Sequence, residues 1–365
     1  MERPEQGGRL YRVVTLQNDL EVLLIHDPGT DKAGAALDVS VGSFSDPDGT
    51  PGVAHAVEHL LSMGTKKYPN ENDYDAFLAQ QGGSSNAFTS PSSTNYYFEL
   101  SYPARPPSTD ELLGSHAPCT RPEDTPAFKG ALDRFGQFFV EPLFPEEVIS
   151  REVSVIDSEY KKNLQDDNWR LHQVKKALAN TRYPYSRFSM GNRKTLHDSS
   201  TARGLSIRDM VVEFYADHYS ANRMKLAVLG REPLGTLQRW VEEIFSKVPT
   251  RDVSQNRWDM PLYTEDQLLT QTFVKPVLGG RSLGLQFMYR DEARFQESHP
   301  SWYLTFLLGH KGPGSVFALL RANRSPGNRY LHIRIRLGAG KAAYLKTFLE
   351  NWRPSQRTRS ETSTR

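Results

Sequence analysis

The sequence predicts an α+β fold: an antiparallel sheet with helices packed on one face, repeated as a second partial domain of the same kind. Three observations predict it. Residues 10–26, LYRVVTLQNDLEVLLIH, form two apolar, β-branched runs around the turn residues Gln17-Asn18-Asp19, which is the pattern of a hairpin. The segments that follow read as strand, two helices and two strands, an order that suits antiparallel neighbours covered on one side. Near Leu268 a comparable α/β unit begins again. With 365 residues, 38% of them hydrophobic, the chain can build one large or two ordinary cores.

The elements follow in order. AALDVSV at 35–41 is a third strand. DPDGTPGVAHAVEHLL carries helix-start chemistry, with Asp48 or Thr50 as the cap and Pro51 near the first helical position, so a helix is expected over 52–62. A second helix runs over 71–81, capped by Asn70 and stopped by Gly82-Gly83. SSNAFTS and TNYYFEL are strands joined across Pro91-Ser92-Ser93. Six prolines and no apolar period make residues 103–126 a long surface loop. Phe128, Leu132, Phe135 and Phe139 then fall on one face of a helix that Pro142 must end. A longer helix starts after Pro145, with Glu146 and Glu147 in its first turn where the helix dipole favours them, and is expected to continue past Glu159 toward Trp169.

Beyond it come a helix over 207–218, a strand at MKLAVLG and a helix over 233–248. The second unit opens with strands at TFVKPV and SLGLQFMY and a helix at 302–308. The division expected is a first domain over 1–250 with 103–126 looped out, a polar linker over 251–267, a partial second domain over 268–352 and a tail over 353–365. From Arg321 onward eleven Lys or Arg face two acidic residues, and RPSQRTRSETSTR cannot bury a core, so disorder is expected at the end.

Lys plus Arg is 45 against 43 for Asp plus Glu, a balance that gives no general reason for nucleic acid or an anionic membrane as partner. The basic end lacks the interleaved aromatics of a nucleic-acid module. The single cysteine, Cys119, excludes an intramolecular disulfide and suits a reducing compartment. MERPEQGGRL has no apolar leader core, and no stretch approaches the ~18 apolar residues of a membrane span, so a soluble, cytoplasmic protein is expected.

The chemistry concentrates in His55-Ala56-Val57-Glu58-His59. On a helix, positions i and i+4 lie one turn apart on one face, so His55 and His59 can aim imidazole nitrogens at one point. A hydrolytic zinc takes three nitrogen or oxygen ligands from the protein and keeps a fourth position for water. Glu58, on the neighbouring strip, can act as general base on that water and later pass the proton to a leaving amine. A lone histidine is more often structural, but this pattern arises by chance on the order of once per hundred proteins of this length. The third ligand must come from elsewhere. In REVSVIDSEYKK, Glu152 and Glu159 stand two turns apart on one face, so one could ligate the metal while the other hydrogen-bonds a ligating histidine.

PGVAHAVEHLLSMGTKKYPNENDYDAF, GGSSNAFTS, STNYYFEL, GALDRFGQFF and SREVSVIDSEYKKNLQDDNWRL together resemble the insulysin (insulin-degrading) group of the inverted-motif, pitrilysin-type zinc metallopeptidases, along nearly the whole stretch from Arg9 to Leu319. The resemblance implies one Zn2+ per chain on His55, His59 and Glu159, with Glu152 as the accompanying acidic residue beside a ligand. It further implies that a peptide substrate adds as a strand against Ser85-Asn86-Ala87-Phe88, with Phe88 lining the pocket beside the scissile bond, Asn86 and Ala87 contacting the peptide and Trp169 as an aromatic near the site. The next aromatic position of the pattern is His172 here, which reads better as a surface histidine.

Two departures stand out. The 103–126 segment widens the spacing between Glu58 and Glu159 beyond the family's, between flanks that still match it, and reads as an insertion. The resemblance stops near Leu320, whereas full-length relatives have four homologous domains in two halves. The expected function is zinc-dependent endopeptidase action on short peptides, limited by the missing half. The alternative is a non-catalytic peptide-binding or regulatory homologue, as a homo-oligomer or associated with a full-length relative.

Overall fold

The fold is described from a computed structural model, covering residues 8–102, 125–254, 256–278, 283–288, 295, 297–298, 300–322, 331–337 and 342–349. Cys119, almost all of the proline-rich segment and the 353–365 tail lie outside the described residues. In chain order the elements are β1 (Leu10–Thr15), β2 (Glu21–His26), β3 (Lys32–Val39), α1 (Val53–Leu61), α2 (Asp73–Gln80), β4 (Ser84–Thr89), β5 (Thr94–Ser101), α3 (Thr125–Val140), α4 (Glu146–Asn163), α5 (Asp167–Ala177), α6 (Ser199–Ala202), α7 (Ile207–His218), β6 (Met224–Gly230), α8 (Leu234–Phe245), β7 (Leu283–Met288), α9 (Pro300–Gly309), α10 (Val316–Ala322), β8 (Leu331–Leu337) and β9 (Ala342–Leu349).

The described residues divide into two compact units. The first takes in the chain up to Lys162 together with Arg187–Trp258, and the second takes in Asn163–Ser186 and the chain from Asp259 onward. The first unit is built on a six-stranded sheet of order β1-β2-β6-β3-β5-β4. The expected hairpin is its first pair, in antiparallel register from Leu10↔His26 to Thr15↔Glu21, with Asp19 at φ 66° in the turn. Strands β3, β5 and β6 alternate buried with half-exposed positions, so one face carries the core: Ala35, Leu37 and Val39, Tyr96, Phe98 and Leu100, Leu226 and Val228. Against that face pack α1, α3 and α8, and the four α3 residues singled out in the sequence, Phe128, Leu132, Phe135 and Phe139, are all at most 1% exposed.

The sheet departs from pure antiparallel order at one described pair. β2 and β6 run parallel, from Glu21↔Lys225 to His26↔Gly230. A parallel pair needs a long crossover, here nearly the whole first unit, and strand direction across such a distance leaves no local pattern. The second unit contains a three-stranded antiparallel sheet of order β7-β9-β8.

Three local expectations are corrected. The long helix does not run on toward Trp169: it ends at Asn163, and Asp166 starts α5 afresh by accepting from Asn168 N–H (2.8 Å) and Trp169 N–H (3.0 Å). A side-chain cap with two backbone donors outcompetes continuation of the helix. No strand forms over 272–277. Pro276 has no N–H to give a ladder, and Val277 and Leu278 donate theirs to the Asp167 carboxylate at 2.9 and 3.1 Å. Neither Asp48 nor Thr50 caps α1. The N-cap is Gly52, at φ 101°, and the capping acceptor is the buried Asp46 carboxylate, which takes Gly52 N–H and Ala54 N–H, both at 2.8 Å.

Phe135 is surrounded by Phe98, Phe138, Phe139 and Phe245 at ring-centroid distances of 5.3–6.4 Å. Phe135→Ala is expected to cost about 3–5 kcal/mol in urea unfolding, because the cavity it leaves is walled by fixed rings. A loss below about 1 kcal/mol would remove α3 from the central core.

Candidate metal centre

Helix α1 has nine residues, of which Val53, Ala54, Ala56, Val57, Leu60 and Leu61 are buried. The three that remain are His55, Glu58 and His59. Packing of the apolar face therefore dictates which way the polar residues point. On α4 the buried residues are Val148, Ile149, Glu152, Val153 and Ile156, so Glu152 shares the core-facing stripe and is 7% exposed. Glu159, two turns on, has a side chain 43% exposed.

The two helices bring these groups together. His55 Nε2 and His59 Nε2 are 3.3 Å apart, and a Glu159 oxygen lies 3.7 Å from each. His55, His59 and Glu159 each place one ligand atom within 4.8 Å of the others, and among the described residues no other group of histidine, cysteine or acidic side chains does so. The remaining imidazole nitrogens are spoken for. His55 Nδ1 faces Met190 O at 2.7 Å, and His59 Nδ1 faces Glu152 Oε2 at 3.3 Å. A carbonyl and a carboxylate can only accept, so both Nδ1 atoms carry the proton and both Nε2 atoms turn lone pairs toward the same space. Two lone pairs at 3.3 Å repel unless a cation lies between them. Nitrogens held about 2.0–2.1 Å from a tetrahedral zinc lie roughly 3.3 Å from each other, so the donor set fits zinc in type and spacing.

The two imidazoles respond to the site in opposite directions. Burial, together with the charge of His59, holds the His55 imidazole below the usual histidine range. Burial pushes His59 the same way, but the hydrogen bond it donates to Glu152 and the charges of Glu159, Glu58 and Glu152 outweigh it and leave His59 raised. Glu58 stands outside the three-residue cluster. Its Oε2 accepts from Thr89 Oγ1 at 2.5 Å, which ties the carboxylate to the end of β4.

Residues 21–182 match the profile described as Insulinase (Peptidase family M16), and residues 206–328 match that of the Peptidase M16 inactive domain. The chain belongs to the insulinase peptidase family. It is 43% identical over 319 residues to the putative zinc protease mug138 of Schizosaccharomyces pombe, covering 87% of this chain and 30% of that protein. It is 41% identical over 317 residues to the insulin-degrading enzyme of Homo sapiens, covering 87% of this chain and 29% of that one. The crystal structure of pitrilysin superposes with a TM-score of 0.79 at 27% identity, over 96% of this chain and 34% of the other. The chain thus spans under a third of the length of these two curated relatives.

In this insulinase-family chain, Asn86, Ala87 and Phe88 lie on β4, which among the described residues pairs with β5 alone and forms an edge of the six-stranded sheet. Phe88 is 52% exposed, and Ala87 N–H is taken up by the Asn86 side-chain oxygen at 2.9 Å. Trp169 belongs to the second unit, on α5, where it is 49% exposed and meets His172 edge to face. Sequence reasoning missed three participants. Met190 acts through its backbone carbonyl, which no side chain announces. Asp46 and Thr89 are ordinary turn and strand residues until the chain folds, although Thr89 directly follows Phe88 in the NAFTS run.

Proposed function

We propose that this chain is a zinc-dependent endopeptidase module that hydrolyses short peptides, with His55, His59 and Glu159 holding one Zn2+ and Glu58 as general base. The observation that supports it is the convergence of His55 Nε2, His59 Nε2 and a Glu159 oxygen on one point, from two helices held by a common core. A Zn2+ held by His55, His59 and Glu159 would supply Lewis acidity at that point, toward a water and a scissile carbonyl. Glu58, free of the ligand cluster, accepts the proton of the attacking water and delivers it to the leaving amine. Glu152 fixes the ring and tautomer of His59. The open edge of β4 takes the peptide as an added strand through Asn86 and Ala87, with Phe88 beside the scissile bond. His55, Glu58, Asn86, Ala87, Phe88, Glu152 and Glu159 belong to the first compact unit; the peptidase domain expected over residues 1–250 loses 163–186 to the second unit and is followed by a linker and a partial second domain. No helix among the described residues is long and apolar enough to cross a membrane. A cytoplasmic location fits a chain with one cysteine, although one relative in Arabidopsis thaliana is named peroxisomal.

The test of this reading also tests a second one. It is a peptide-binding or regulatory homologue that acts with a full-length relative. Cleavage of a quenched fluorogenic peptide by the purified chain separates the two. Under the first reading turnover stops on adding chelator and returns with zinc. A chain that holds stoichiometric zinc, shows no turnover and alters cleavage by an added full-length relative would establish the second.

A further inference from the structure

The two helices of the metal centre come from distant parts of the sequence, and something must hold them in register to within a few tenths of an ångström for the donor atoms to converge. One short segment touches both. At its start, Met190 O accepts the Nδ1 proton of His55 on α1 at 2.7 Å. At its end, Arg193 N–H donates to Asp157 Oδ1 on α4 at 3.0 Å, one turn after Val153 and two residues before Glu159. Between them Gly191, at φ 78°, lies against Gly52, the N-cap of α1, at φ 101°. A Cβ on Gly52 would stand 2.3 Å from Gly191 Cα, and one on Gly191 would meet buried Leu196 at 2.9 Å and Gly52 Cα at 3.1 Å. Backbone against backbone is the only packing that this approach admits, and it carries the Met190 carbonyl to the imidazole.

We propose that Met190–Arg193 is a clamp that locks α1 and α4 together and determines which nitrogen of His55 faces the metal. The inference rests on the ligand assignment made above. Asp157 and Gly191 are positioning residues in it: neither touches the metal or the substrate. Asp157 also pairs with Lys161 at 2.7 Å, but that lysine is 70% exposed and its bond contributes little to holding the segment.

The test uses the full chain, zinc as the probe, competition with a chromogenic chelator for affinity, and nitrogen-15 NMR of the metal-free protein for the His55 tautomer. Asp157→Ala removes the acceptor for Arg193 N–H and is expected to weaken zinc binding roughly 10–100-fold and to mix the His55 tautomers. Asp157→Asn keeps an oxygen acceptor at the same place and should restore the wild-type tautomer and nearly wild-type affinity. Gly191→Ala should act as Asp157→Ala does. If it does not fold, Asp157→Ala decides alone, because that substitution leaves the Gly52–Gly191 backbone contact untouched. Folded Asp157→Ala with wild-type affinity and tautomer would overturn the clamp while leaving the ligand assignment standing. Wild-type chain that binds no zinc, or binding that survives His59→Ala, would overturn the ligand assignment and the clamp with it.

Discussion

Replacing Glu58 with glutamine is expected to lower kcat for a fluorogenic peptide by roughly 10²–10⁴-fold, the usual contribution of a positioned general base. Zinc content and KM should hardly change. The substitution is close to isosteric, and a glutamine oxygen can still accept from Thr89 Oγ1, so the side chain keeps its place at the end of β4. What it loses is the ability to take a proton from water and return it to the amine. The ligand atoms of His55, His59 and Glu159 are untouched, since Glu58 lies outside their cluster. Parallel measurement of zinc by competition titration and of turnover on the same preparation makes the comparison clean. Turnover of Glu58→Gln equal to wild type would assign the base elsewhere and end the proposed mechanism.

His59→Ala is expected to have the second large effect, on metal binding. It removes one of three converging donors, so zinc affinity should fall by more than about 100-fold, beyond what losing a supporting partner causes. It also strips the buried Glu152 carboxylate of the imidazole 3.3 Å away, leaving Arg151 at 3.9 Å as its ion-pair partner among the described residues. A buried acceptor that loses its donor costs about 1–3 kcal/mol, so the metal-free variant should unfold at lower urea than metal-free wild type. Equilibrium zinc titration and urea melts check the two parts separately. Undiminished zinc affinity would place the metal elsewhere.

The outcome for the individual elements shows where sequence reasoning succeeds. The β1–β2 hairpin, α3, α7 and β6 were legible because each is specified by a short-range pattern: a turn between β-branched runs, four aromatic or leucine residues at helical spacing, an apolar run of strand length. The misjudged places are those where a tertiary partner decides. Asp166 stops a helix that composition would let run on. Asp167 claims two backbone N–H groups that a strand over 272–277 would have needed. The direction of β2 against β6 is settled between residues about as far apart as Glu21 and Lys225.

The site divides the same way. That His55 and His59 share a helix face is a consequence of four-residue spacing, and the family resemblance extends it to Glu159. Spacing alone could not tell Glu152 from Glu159, since both lie on one stripe of α4. In the fold they differ by position along that stripe: Glu152 sits level with the Nδ1 side of His59 in the buried face, and Glu159 one step further out, level with the Nε2 side. The sequence by itself thus determined most element types, the candidate chemistry and the apolar faces of α1 and α3, because periodicity and local turn chemistry are properties of a few neighbouring residues. Only the tertiary structure decided how α1 meets α4, which backbone carbonyl meets His55, and how Asp46 and Thr89 hold the start of α1 and the Glu58 carboxylate. Those depend on close approach between segments that are not neighbours in the chain, such as Glu58 and Thr89, 31 residues apart, or His55 and Met190, 135 apart, or on main-chain groups that every residue carries and no sequence pattern distinguishes.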